Sequence, residues 1–137
     1  MVVDYEAEIY DAVSSAAKEQ FPDLKTASWA AAIPASFPFA HIVQTEDYDY
    51  SPSLTSSHAN EARHLTFEVN VYSDKASGRK AEAKSISLFI AQVFKALGFV
   101  QTLGGRPLDL TDTRDRAIAR YMSRYEGLVH NDTIHTV

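Results

Sequence analysis

The chain has no cysteine, which excludes a disulfide framework and any thiolate metal site. It has no apolar run approaching the length that spans a bilayer. The opening residues, MVVDYEAEIYD, lack the basic and apolar regions of a secretion signal. A soluble, cytosol-made domain is expected, in which the sequon-like Asn131-Asp132-Thr133 has no meaning. Positive charge is also in deficit, with 13 Lys and Arg against 18 Asp and Glu and a net charge of −5. That field opposes phosphate and argues against a general nucleic-acid binder. Familiar catalytic signatures are missing too. There is no Gly-x-Ser-x-Gly elbow, and LGGRP (103–107) is too short for a phosphate-cradling loop and lacks its lysine. Gly104 and Gly105 read instead as a tight turn needing positive φ. SGRK (77–80) opens a helix whose free N–H groups could hold an anion, although a solvated helix start is the plainer reading.

What the sequence does contain suits one domain with a single core: 137 residues, 45% hydrophobic and 23% charged. Residues 4–20 read as a helix capped by Asp4, with Tyr5, Ile9, Ala12, Val13 and Ala16 on one face and Phe21-Pro22-Asp23 as its stop. LKTASWAAAI (24–33) and FPFAHIVQTE (37–46) read as strands. EDYDYSPSLTSSHANE (46–61) is polar and contains Pro52, so it reads as a long loop without helical or strand period. In the third strand Leu65, Phe67, Val69 and Val71 point one way, and His64, Thr66, Glu68 and Asn70 the other. A turn over 74–78 leads into a second helix. Its stripe is Ala83, Ile86, Ile90, Val93 and Leu97, widened by Phe89 and Phe94, with Gly98 at the left-handed C-terminal cap. FVQTL (99–103) reads as a short strand, GGRP as a turn and LDLTDTRD as a loop. RAIARYMSRYEGLV (116–129) fits a long strand, with Ile118, Met122 and Leu128 of one parity and Tyr121 and Tyr125 of the other, yet it also fits a helical stripe. HNDT then allows a hairpin turn into IHTV. The fold class expected is α+β, a mainly antiparallel sheet with two helices packed on one face.

Candidate chemistry is thin. His41, His58, His64, His130 and His135 are scattered, and His64 and Glu68 lie about 13 Å apart along one strand, too far for one metal. His130 and His135 could meet across a terminal hairpin, but without a carboxylate they make a poor site. The acids of TEDYDY sit in a polar loop, where nothing apolar shifts a carboxyl pKa toward catalytic use. The tyrosines say more. Tyr48 and Tyr50 alternate with Asp47 and Asp49, and Tyr121 and Tyr125 follow Arg120 and Arg124, a mixture enriched at protein contacts. Packing of Tyr121 and Tyr125 within the sheet is an equal alternative.

The helix ending near FPD, the strand FPFAHIV, the segment EVNVYSDKASGRKAEAKSISLFIAQVFKALGF and the late ARYMSRYEGLV together resemble the tail-completion proteins (tail terminators, head–tail joining proteins) of long-tailed bacteriophages and prophages. The likeness runs from about Tyr5 onward and is most specific over residues 67–97. It implies a structural virion protein that forms a ring, typically hexameric, at the head-proximal end of the tail tube. Such a ring ends tube polymerisation and joins tail to head. The partners it implies are further copies of itself, the major tail tube protein and a head-completion or neck protein, with DNA passing the channel without sequence-specific contact and no membrane involved. It implies no catalytic residues, no metal and no cofactor. Another neck or minor tail protein of the same particle is an alternative, as is a small α+β enzyme or ligand-binding domain. On this reading Asp47, Tyr48, Asp49, Tyr50, Leu54, Arg120 and Arg124 are the candidate interface residues. The 46–61 loop is expected to be ordered by a neighbour, its acids pairing with Arg120 or Arg124 of the adjacent subunit. Phe67, Val69, Val71, Ile86, Ile90, Val93 and Leu97 are expected to build the core.

Overall fold

The computed structural model describes residues 4–29, 34, 36–49, 62–111 and 117–130, with only the backbone course for residues 49, 106–111 and 130. The elements follow in the order α1 (Tyr5–Gln20), β1 (Lys25–Ala27), β2 (Phe39–Asp49), β3 (Ala62–Ser73), α2 (Arg79–Ala96), β4 (Val100–Thr111) and β5 (Ala117–His130). The five strands form one sheet in the order β1-β2-β3-β5-β4. Only β1 and β2 run parallel; every other neighbouring pair is antiparallel. This is the α+β arrangement expected from the sequence, with both helices packed against one face of the sheet.

Helix α1 begins where Asp4 accepts a hydrogen bond from the Ala7 N–H at 3.0 Å, a cap worth about 1 kcal/mol. Its buried stripe is Tyr5, Ile9, Val13 and Ala17, joined by Ser14, whereas Ala12 is exposed and Ala16 only half-buried. The departure from the expected stripe has a polar cause. Thr26 of β1 is held by the hydroxyls of Tyr10 (2.8 Å) and Ser14 (2.9 Å), which turns that side of α1 toward the sheet edge. Strand β1 itself spans three residues rather than the ten of the alanine-rich segment. Ser28 and Trp29 bend away from it, Trp29 is 71% exposed, and residues 30–33 lie outside the described residues.

Strand β2 starts two residues later than expected and runs three further, so Glu46, Asp47, Tyr48 and Asp49 are strand residues and not the start of a loop. A bulge between Gln44 and Glu46 absorbs one residue and keeps the pairing with β3 going. Residues 50–61 lie outside the described residues, as do 131–137 with the proposed hairpin. β3 is the central strand and is buried on both faces: Leu65, Phe67, Val69 and Val71 face the helices, while Thr66 and Asn70 are buried on the other side.

Helix α2 buries Ala83, Ile86, Ser87, Ile90, Ala91 and Phe94, with Val93 and Leu97 at the margin. Its end is closed by Gly98 at φ 91°. The Gly98 N–H donates to the Lys95 carbonyl and the Phe99 N–H to the Phe94 carbonyl, both at 3.0 Å. That paired pattern satisfies the last turn and needs a residue at ease with positive φ. It also sets Phe99 edge-on against Phe94 at 5.4 Å, and Phe94 lies flat on Tyr125 at 4.4 Å with 6° between the planes.

The expectation fails for residues 104–111, and 112–116 lie outside the described residues. GGRP is not a turn; β4 passes straight through it to Thr111, with register shifts between Gln101 and Leu103 and between Leu103 and Arg106. Gly105 is needed for closeness rather than for φ, because a Cβ there would come within 1.8 Å of the Tyr121 ring. An edge strand tolerates Pro107, which has no N–H to give. For residues 116–129 the strand reading is the correct one. Ala119, Tyr121, Ser123 and Tyr125 line the helix-facing side of β5, and Ile118, Met122 and Leu128 take the other.

Candidate interface on the open face of the sheet

The face of the sheet away from α1 and α2 is built from cross-strand rows over β2, β3 and β5. Register places Phe39, Tyr72 and Arg120 in one row, then His41, Asn70 and Met122, then Val43, Glu68 and Arg124. Beyond the β2 bulge follow Glu46, Thr66 and Glu126, and lastly Tyr48, His64 and Leu128. Pairs at this spacing interact directly, each contributing about 0.2–1 kcal/mol.

At one end His41, 1% exposed, sits edge-on between the rings of Phe39 (5.0 Å) and Tyr72 (5.3 Å). Burial pulls its pKa below the usual histidine value, and the Arg120 guanidinium pulls it further. Burial pushes the Tyr72 phenol up; Arg120 opposes that shift and Glu68 adds to it. Arg120 Nε donates to Asn70 Oδ1 at 2.8 Å, and its Nη2 lies 3.7 Å from the Met122 sulfur. In the middle Arg124 is 3.8 Å from Glu68, which also accepts from Asn70 Nδ2 at 3.4 Å. At the far end Thr66 donates to Glu46 at 3.0 Å, and His64 Nε2 lies 3.8 Å from Glu126. The Tyr48 ring stacks on His64 at 4.6 Å and stays 48% exposed. The result is a polar face on which Arg124 meets Glu68 and Arg120 meets Asn70, with the Tyr48 ring standing in solvent.

The candidate interface residues are therefore divided. Tyr48, Arg120 and Arg124 share this face. Asp47 does not: it pairs in register with Leu65 on the helix-facing side, and its carboxylate meets Arg63 Nε at 2.6 Å. Asp49 lies opposite Arg63 in the backbone register. Tyr50 and Leu54 lie outside the described residues. Within one subunit Asp47 thus already has an arginine partner, and Arg120 and Arg124 are held by Asn70 and Glu68.

The sequence reading placed His64, Glu68 and Asn70 on one face of β3 but missed the ladder that Glu46 and Glu126 complete across it. Its signal was present as polar alternation in both β3 and β5, but the pairing of those two strands, 50 positions apart, could not be read from either. Among the described residues no three His, Asp or Glu side chains converge as a metal site, and no helix is long and apolar enough to cross a membrane. A cleft of about 170 Å³ opens where α1 ends and α2 begins, lined by Phe21, Pro38, Glu82 and Ile86 among others. It is below the size usual for a small-molecule site. Neither protein-family models nor curated proteins yield a match to the chain.

Proposed function

We propose that the protein is a structural subunit of a long-tailed phage particle, closing the head-proximal end of the tail tube as a ring and joining tail to head. The observation that carries this reading is the rigid unit formed by residues 67–97. Here β3 runs through a short turn into α2, and both pack into one core while the far side of the sheet remains a surface. This is the segment on which the likeness to tail-completion proteins is strongest. The sheet also suits cyclic assembly. From β2 to β4 its strands alternate in direction, so the edge that β2 offers beyond the short β1, residues 42–49, runs opposite to the β4 edge. Copies related by rotation would meet edge to edge in antiparallel sense. The partners on this reading are neighbouring copies, the tube protein and a neck protein, and the protein resides in the virion.

Electron microscopy of tails assembled with and without the protein tests the proposal. The expected result is a ring of density on the tube axis at the head-proximal end, and tubes of uncontrolled length when the protein is left out. Density as a single off-axis subunit, or tubes of normal length in its absence, would overturn it.

A further inference from the structure

We infer that the layer formed by α1 and α2 is a docking face for a second copy of this chain, with α1 of each copy lying across α2 of the other. The two helices carry opposite charge. The solvent stripe of α1 holds Glu8, Asp11 and Glu19 around Ala12 and Ser15, with Lys18 as its one base, all exposed. That of α2 holds Lys80, Lys84 and Lys95 around Leu88 and Gln92, also all exposed. Leu88 is 53% exposed in the middle of the basic stripe, so a large apolar side chain on one helix answers two small ones on the other.

A charged stripe is ordinarily just a solvated face; Glu8 and Lys18 of α1 and Glu82 and Lys95 of α2 suit their helix dipoles, but three other charges do not. Arg79 and Lys80 stand at the positive, N-terminal end of α2, and Glu19 at the negative, C-terminal end of α1. Each placement opposes the helix dipole. Lys80 and Lys84 are like charges four apart, and Glu8 and Asp11 like charges three apart, which again disfavours the isolated helix. A surface of opposite sign relieves both penalties, and each helix offers that surface to the other.

The fold supplies the geometry. α1 ends next to the start of β1, which pairs with the start of β2, and α2 starts just beyond the end of β3, opposite that same part of β2. Gln20, Phe21, Glu82 and Ile86 line one cleft there. The helices are therefore antiparallel neighbours. A two-fold axis parallel to them and between them lays α1 of each copy on α2 of the other; a two-fold axis across them sets like charge on like. At about 1.5 Å per residue, Glu8 to Glu19 spans roughly 16 Å and Lys80 to Lys95 roughly 22 Å. Centred on one another, the stripes bring Leu88 over Ala12 and Ser15, Glu8 toward Lys95, and Glu19 toward Lys84. This pairing is face to face and self-complementary, unlike the head-to-tail contacts of a ring. It goes beyond the ring reading and stands without it.

Sedimentation of the purified chain tests it. The wild type should be dimeric at about 50 mM salt, with a dissociation constant that rises at least about tenfold toward 1 M as the charges are screened. A variant with Lys80→Glu, Lys84→Glu and Lys95→Glu should be monomeric, as should one with Glu8→Lys, Asp11→Lys and Glu19→Lys. An equimolar mixture of the two should recover a dimer, since each then meets its complement. Circular dichroism confirms folding. Should a reversed variant fail to fold, Leu88→Ser should weaken the wild-type dimer about tenfold while keeping its helicity. A monomeric wild type, self-association indifferent to both reversals and to Leu88→Ser, or a mixture that stays monomeric would overturn the inference. Rings on tails that persist in the reversed variants leave the proposed function standing while these salt and mixing outcomes decide the dimer.

Discussion

The two faces of the sheet solve burial differently. On the helix side, Phe67, Phe94, Phe99 and Tyr125 form a continuous aromatic stack, and stability there comes from removing apolar surface from water. On the open side the rows alternate rings, amides and ions, several of them held by a cross-strand neighbour. The first face should be sensitive chiefly to volume. The second should be tolerant of volume and sensitive to charge. One sheet thus holds a stabilising side and a side free to serve as a surface.

The strongest way to break that contrast is to cut into the stack. Phe94→Ala removes the ring between Phe67, Phe99 and Tyr125 and should cost about 3–5 kcal/mol, read as a shift in the urea unfolding midpoint. A loss under 1 kcal/mol would mean the stack is not the stabilising side. Next comes Gly105→Ala, which drives a methyl into Tyr121 and should cost about 1–3 kcal/mol. Adding Tyr121→Ala should make the double variant less damaged than the sum of the singles; strict additivity would show that the two do not touch.

pH sharpens the comparison from the other side. The folded state holds His41 below its ordinary pKa, whereas the unfolded chain takes up the proton near 6.5. Stability should therefore be full above about pH 6.5 and fall as pH drops below it toward the folded-state pKa. His41→Phe should flatten that part of the profile, and an unchanged slope would show that another group is responsible. The smallest effect expected is at Arg124→Ala. Its contact with Glu68 is 3.8 Å long and 45% of its side chain is exposed, so a loss of no more than about 0.5 kcal/mol should appear in thermal melts.

Sequence patterns recovered the parts of the fold that depend on near neighbours. Asp4 capping α1, the period change from β3 into α2 and Gly98 at the helix end all follow from residues within a turn or two of one another. The same reasoning stopped β2 at Glu46, because Glu46-Asp47-Tyr48-Asp49 looks like loop composition. Half of that polarity is spent on Thr66 and Arg63 in the next strand, which no local window contains. It also broke β4 at Gly104-Gly105, where the second glycine admits Tyr121 and no turn forms. Of the candidate interface residues, Arg120 and Arg124 share a face through the strand period of β5, and Tyr48, read as part of a loop, joins them on it. Asp47 and Tyr48 read together as contact residues of one loop, but as consecutive strand residues they face opposite sides of the sheet.

The strand order also bears on how the molecule is made. β5 lies between β3 and β4, although it follows both in the chain. During synthesis, β3 and α2 leave the ribosome with one flank of the central strand empty, and β4 has no neighbour to pair with. The sheet closes only when β5 slides between them, bringing Tyr125 onto Phe94. A nascent chain halted before Ala117 therefore offers an unpaired central strand to whatever is nearby, a state that chaperones bind and proteases remove. Completion of the sheet thereby waits on the synthesis of β5.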